Sequence, residues 1–121
     1  MSHICYNINM INEVYELVIY SDETGKEPFT EWLESLQRSD LARVNARLTR
    51  VISGNLGDYK PLKDGLYELR FLNHGGYRIY YGCNGNTIII LLTGGNKETQ
   101  KKDIEKAKVY LNDYNKRKVG V

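Results

Sequence analysis

Three short runs between Leu66 and Thr93 constrain this chain more than any other feature. From Leu66 to Leu72 the side chains alternate, with Tyr67, Leu69 and Phe71 on one face and Glu68 and Arg70 on the other, the period of a half-buried strand. Tyr77 to Tyr81 repeats the pattern and sets Tyr77, Ile79 and Tyr81 apart from Arg78 and Tyr80. The intervening Asn73-His74-Gly75-Gly76 has turn composition, so the two runs form a hairpin. Asn84-Gly85 is a strong hairpin signal and leads into Thr87 to Thr93, whose centre, Ile88 to Leu92, is apolar on both faces. Such a strand belongs inside a sheet, buried on both sides.

Helical spacing appears on either side of these strands. Val14 to Tyr20 is rich in β-branched and aromatic residues and reads as a first strand, closed by the turn-prone Ser21 to Gly25. Pro28 suits a first helical turn, and Phe29, Trp32, Leu33 and Leu36 then share one face. Leu41, Val44, Leu48 and Val51 resume that period, with Ser39 or Asp40 as the N-cap and Gly54 just beyond the end. We read Arg43, Arg47 and Arg50 on this helix as solvated surface. A last helix begins near Lys97 to Thr99, and its apolar stripe is Ile104, Ala107, Leu111 and Tyr114. Asp58 to Lys63 is a possible short strand edged by Pro61. The order β-α-α-β-β-β-β-α defines an α+β domain, a mostly antiparallel sheet flanked by an N-terminal helical hairpin and a C-terminal helix.

With 121 residues, 41% of them hydrophobic, and no proline- or glycine-rich linker, one domain spanning 1–121 with a single core is expected. Residues 1–12 read as a loose tail, and Met10 is an alternative start to Met1. No secretory signal is readable there, the two cysteines Cys5 and Cys83 suit a reducing compartment, and no apolar run approaches a bilayer span, so a cytoplasmic protein without a membrane partner is expected. His3 and His74 are the two histidines and no element carries carboxylates at ligand spacing, so no metal set is readable. Gly94-Gly95 is too short for a phosphate loop, and no Ser or Cys has a recognisable partner base.

The net charge of +2 argues against a strongly electrostatic nucleic-acid binder. It is unevenly divided, −3 over residues 1–54 and +5 over residues 55–121. A symmetric hairpin sets Phe71 opposite Tyr77 and Arg70 opposite Arg78, two like charges that need an anion, or the local Glu68, between them. The strand ending at Thr93 returns to the end of the sheet where Arg78 begins. Arg70, the turn with His74, Arg78 and Lys97 therefore converge there. Guanidinium forks and ammonium groups so placed suit a phosphodiester whose negative charge grows in the transition state. Tyr80, on the same strand face as Arg78, is a candidate to stack on a base or to orient a phosphate. Because a free imidazole has its pKa near neutrality, His74 is the candidate general acid or base, although a lone His in a glycine-rich turn is commonly plain surface. Lys60, Lys63, Lys101 and Lys102 are candidates to contact a phosphate backbone, or else contact nothing at all.

Taken in order, Phe29-Thr-Glu-Trp-Leu33, Leu62-Lys-Asp-Gly-Leu-Tyr-Glu-Leu-Arg70, Tyr77-Arg78-Ile-Tyr-Tyr81, Leu91-Leu-Thr-Gly-Gly-Asn-Lys97-Glu-Thr-Gln100 and Asp103-Ile104 resemble the RelE/ParE superfamily of type II toxins. Within it the chain is most similar to the HigB-like, or phage Gp49-like, addiction module killer proteins, over about residues 14–115. The resemblance implies a RelE-like fold and a toxin neutralised by a cognate antitoxin, expected to be a helix-turn-helix protein encoded beside it. It also implies cleavage of messenger RNA on the ribosome by attack of the ribose 2′-hydroxyl, without metal or other cofactor. Carried over by position, Arg78 matches a family arginine that stabilises the transition state, Arg70 a basic residue on the preceding strand, and Lys97 the final basic position. Glu68 stands where some RelE-type enzymes carry a second lysine that serves as base. Two other readings remain at this point: a ParE-like poison of DNA gyrase without nuclease activity, and a degenerate toxin that only binds its antitoxin, since one fold can host them all.

Overall fold

The computed structural model describes residues 14–72 and 76–119. The expected tail and His74 lie outside the described residues. Eight elements follow in order: β1 (Glu16–Ile19), α1 (Pro28–Glu34), α2 (Arg38–Ile52), β2 (Tyr59–Pro61), β3 (Tyr67–Arg70), β4 (Arg78–Asn84), β5 (Ile88–Gly95) and α3 (Gln100–Val119). The five strands form one sheet in the order β1-β5-β4-β3-β2. β2 to β5 are a meander of antiparallel neighbours, and β1 joins β5 in parallel. That parallel pair encloses β5 between two neighbours, which is why a strand apolar on both faces fits there.

Each face of the sheet carries its own apolar cluster. Leu69, Ile79, Tyr81, Ile89 and Leu91 pack with Phe29 of α1 and Val44 and Val51 of α2. On the alternate residues, Leu66, Tyr80, Ile90 and Leu92 pack with Ala107 and Leu111 of α3, and Ile104 and Tyr114 complete its stripe. Ile79, Ile89 and Leu91 expose 2% or less, and each side chain so buried contributes about 1.5–3 kcal/mol. A bulge between Tyr80 and Tyr81, where Tyr80 pairs with Thr93 and Tyr81 with Leu91, shifts the β4–β5 register by one residue.

Helix boundaries depart from the sequence reading at one cap. α2 starts at Arg38 with Gln37 at the N-cap and no side-chain cap, so neither Ser39 nor Asp40 caps it. Asp40 instead lies inside the first turn, where it accepts a 2.9 Å bond from the Tyr77 hydroxyl and pairs with Arg43. Gly54 does end the helix, at φ +96, with its N–H bonded to Val51. Before α3, Asn96 Oδ1 accepts the Glu98 and Thr99 N–H groups at 2.9 and 3.0 Å and so satisfies donors near the helix start.

Arg47 corrects the expectation of a solvated surface residue. It is 7% exposed, and its guanidinium donates four hydrogen bonds of 2.8–3.1 Å to the carbonyls of Leu56, Asp58 and Arg70. Its position three residues after Val44 and four before Val51 puts it on the buried stripe, and the loop carbonyls give its charge the partners burial requires. Burial holds its ionisation below the usual guanidinium value.

Candidate functional site

The antiparallel ladders gather the cations at one end of the sheet. Arg70 pairs with Arg78, and Arg78 with Gly95, so the three form a row across β3, β4 and β5. Lys97 follows two residues after Gly95. Gly76 marks how closely they approach: a methyl group on it would lie 3.3 Å from Arg78 Nη1 and 3.4 Å from Lys97 Cβ. Gly76 also has φ +64, a conformation open to glycine, and its carbonyl accepts a 2.7 Å bond from Arg78 Nη1.

Each of the two facing arginines has its own carboxylate. Arg70 Nη2 meets Asp58 Oδ1 at 3.1 Å, with side chains 38% and 32% exposed. Arg78 Nε lies 3.5 Å from Glu68 Oε2, with side chains 14% and 1% exposed. The like-charge opposition in the sequence is thus offset on both strands, loosely for Arg70 and within the protein for Arg78. Glu68 Oε2 also accepts a 2.9 Å bond from Gln100 Nε2 in the first turn of α3. Close by, Thr99 Oγ1 donates to buried Asp103, and a side chain on Gly95 would collide with that carboxylate. Gly95 is therefore the residue that lets the start of α3 close over the end of β5.

The second row, Lys60–Glu68–Tyr80–Thr93, lies one step further along the same face. Tyr80 corrects its expected role. Its ring is fully buried between the sheet and α3, where no nucleotide base can stack on it. Burial, followed by the charge of Glu68, holds its ionisation far above the ordinary phenol value, so it remains a protonated hydroxyl.

The lysines divide by position. Lys60 is exposed on the edge strand β2, and Lys63 is exposed in the connection to β3, at the opposite end of the ladder from Arg70. Lys97 is exposed just before α3, with Lys101 and Lys102 exposed in its first turn. Cations at a helix N-terminus oppose its macrodipole, typically by about 0.3–1 kcal/mol each. Asp103 in the same turn offsets part of that. Among the described residues no group of three or more His, Cys, Asp or Glu side chains could hold a metal ion, and no helix is long and apolar enough to cross a membrane.

Sequence reasoning brought Arg70, Arg78 and Lys97 together and missed what anchors them. Asp58 and Gln100 carried no signal, because their partners lie 12 and 32 residues away. Glu68 was visible only as a local counter-charge, through its place two residues before Arg70.

One sheet end of this small α+β protein thus gathers Arg70, Arg78 and Lys97 beside a buried carboxylate. The chain belongs to the phage-derived Gp49-like family, which stands among the RelE/ParE-like toxins; the family profile matches residues 22–112. Over 82 residues it is 44% identical to an uncharacterized protein of Haemophilus influenzae, an alignment that covers 67% of this chain and 83% of that protein.

Proposed function

We propose that this protein is the toxin of a type II toxin–antitoxin pair, a RelE-like endoribonuclease that cuts messenger RNA presented by the ribosome. The observation that carries the reading is the row of Arg70 and Arg78 beside Lys97, with Arg78 paired to a buried carboxylate and Arg70 to a half-exposed one. In the proposed reaction the ribose 2′-oxygen attacks the adjacent phosphorus while the bond to the 5′-oxygen breaks, giving a 2′,3′-cyclic phosphate and a 5′-hydroxyl end. Arg78 donates to the non-bridging oxygens as their charge grows. One such pre-positioned donor is typically worth about 2.7–4 kcal/mol. Arg70, in its exposed pair, turns from Asp58 to the same phosphate, and Lys97 adds a second cation. His74, on the connection between the two arginine strands, is the group that takes or returns a proton near neutrality. Charge stabilisation comes from these side chains rather than from a metal ion. Lys60, Lys63, Lys101 and Lys102 contact the RNA backbone. The protein acts in the cytoplasm, and its inhibitor is the antitoxin encoded beside it.

Primer extension on cellular messages after induction, compared with Arg78→Ala, tests this. The expected result is truncation of translated messages by the wild-type protein and a loss of about 100-fold or more in Arg78→Ala at unchanged circular dichroism. Intact messages together with accumulated gyrase–DNA cleavage complexes overturn the nuclease reading in favour of a gyrase poison. Growth arrest relieved by no adjacent gene overturns the toxin–antitoxin assignment.

A further inference from the structure

Glu68 is a carboxylate in the wrong place for stability alone. It is fully buried on β3, and taking a charge out of water costs several kcal/mol unless its partners are well placed. Its partners are incomplete. Oε2 accepts a 2.9 Å hydrogen bond from Gln100 and lies in an ion pair 3.5 Å from Arg78 Nε, whereas Glu68 Oε1, Arg78 Nε and the buried hydroxyl of Tyr80 have no hydrogen-bond partner among the described residues. A partly satisfied buried polar cluster is worse for stability than an apolar one of the same shape. Glu68 cannot be the general base either, because with no exposed surface it has no route to a ribose hydroxyl.

What Glu68 touches is Arg78. It faces the guanidinium on the Nε side as an ion pair, and the Gly76 carbonyl accepts one Nη1 hydrogen, so the group is held by a charge on one edge and by a hydrogen bond on another. Of the five donors of a guanidinium, the others are uncommitted among the described residues. Arg70, one strand away, is attached through Nη2 alone to a half-exposed Asp58. We infer that Glu68, braced by Gln100, is the positioning residue of the site: it fixes the Arg78 guanidinium beside Lys97 with its remaining donors free for phosphate. The inference rests on the nuclease reading for its catalytic consequence, and on the ion pair alone for its structural one.

A double-mutant cycle separates positioning from a structural role. Glu68→Gln keeps the volume and removes the charge, and misplacing one catalytic group costs up to about 100-fold. In a ribosome-dependent cleavage assay, kcat per folded molecule is expected to fall about 10- to 100-fold at unchanged KM. In an Arg78→Ala background the same change is expected to do nothing more, because its only target is gone. An equal loss in both backgrounds, or wild-type kcat in folded Glu68→Gln, overturns the inference. Should Glu68→Gln not fold, Gln100→Ala replaces it and is expected to give a smaller loss with the same dependence on Arg78. Nuclear magnetic relaxation of the Arg78 Nε–H gives a readout independent of cleavage: an ordered guanidinium in the wild type and a more mobile one in Glu68→Gln. Identical mobility in the two proteins overturns the inference whatever happens to the messages. Changed mobility in a protein that cleaves nothing upholds the positioning role and removes the nuclease reading instead.

Discussion

Arg47 and Arg78 show how differently one side chain type is used within one small core. Arg47 spends four of its five N–H donors on three carbonyls and lays its guanidinium 4.9 Å from the centre of the Phe71 ring. Two of those carbonyls belong to Asp58 and Arg70, so Arg47 holds the backbone that carries the exposed ion pair of the site. Arg47→Ala is expected to destabilise the protein by about 3 kcal/mol, since hydrogen bonds from a charged donor are each worth about 1.5–3 kcal/mol and the carbonyls are left partly stranded. Arg47→Lys should recover little of this, because one ammonium cannot reproduce the fork. Urea unfolding monitored by circular dichroism measures both variants, and a loss below about 1 kcal/mol in Arg47→Ala would falsify the bracing role. The sequence was misleading here because helical spacing assigns an angle and says nothing of a loop arriving over it. Tyr80 failed for a similar reason. Alternation correctly set it on the face of Arg78, but two residues along a strand is only about 6.6 Å, and the covered area under α3 ends between them. Arg70 and Arg78 were legible because opposition across a short hairpin depends on local pairing alone.

At the scale of elements, α3 is fastened at both ends. Near its start, Gln100 reaches Glu68; near its end, Asp113 accepts a 2.7 Å bond from the Tyr20 hydroxyl and pairs with Arg117 at 2.8 Å. Tyr20 follows β1 directly and stacks on Tyr110 with ring centres 5.2 Å apart, so this clamp joins the edge strand to the last helix. Burial, then the bond to Asp113, pushes the Tyr20 phenol from 10.0 up to about 12. A pKa raised by folding gives stability that is complete below the unfolded value and is lost as pH rises through the folded one. Wild type is therefore expected to exceed Tyr20→Phe by about 1 kcal/mol at pH 9, and the gap to narrow between about pH 10 and pH 12. Urea titrations across that range test the clamp, and a gap that stays constant to pH 12 counts against it. Helix and strand order were readable because each element has a clean period. The parallel β1–β5 pairing was not, since it joins residues 72 positions apart, Glu16 with Ile88, without a turn between them to announce it. The bulge at Tyr80 and Tyr81 left no mark either, because the extra residue on β5 is one more aliphatic in an aliphatic run.

For the whole molecule the proposed function poses the question of how a chain with a net charge of +2 would take hold of RNA. Phosphate contacts dominate affinity for nucleic acid, and each neutralised phosphate steepens its dependence on salt. Several of the arginines are spent within the protein: Arg47 on carbonyls, Arg70 and Arg78 on carboxylates, and Arg117 on Asp113. Lys97, Lys101 and Lys102 remain exposed around the start of α3, beside the row of arginines. So small a net charge is suited to a substrate delivered by another particle and poorly suited to capturing free RNA from solution. Under the proposed function, the protein should leave free messenger RNA uncut at physiological salt and cut the same message during translation. Replacing both Lys101 and Lys102 with Glu should weaken co-sedimentation with ribosomes and steepen the loss of cleavage as salt is raised. Stability should change by no more than about 0.5 kcal/mol, as expected for exposed positions. Sucrose-gradient sedimentation of the two proteins over a salt series decides the matter, and equal ribosome association at every salt concentration removes the start of α3 from the docking surface.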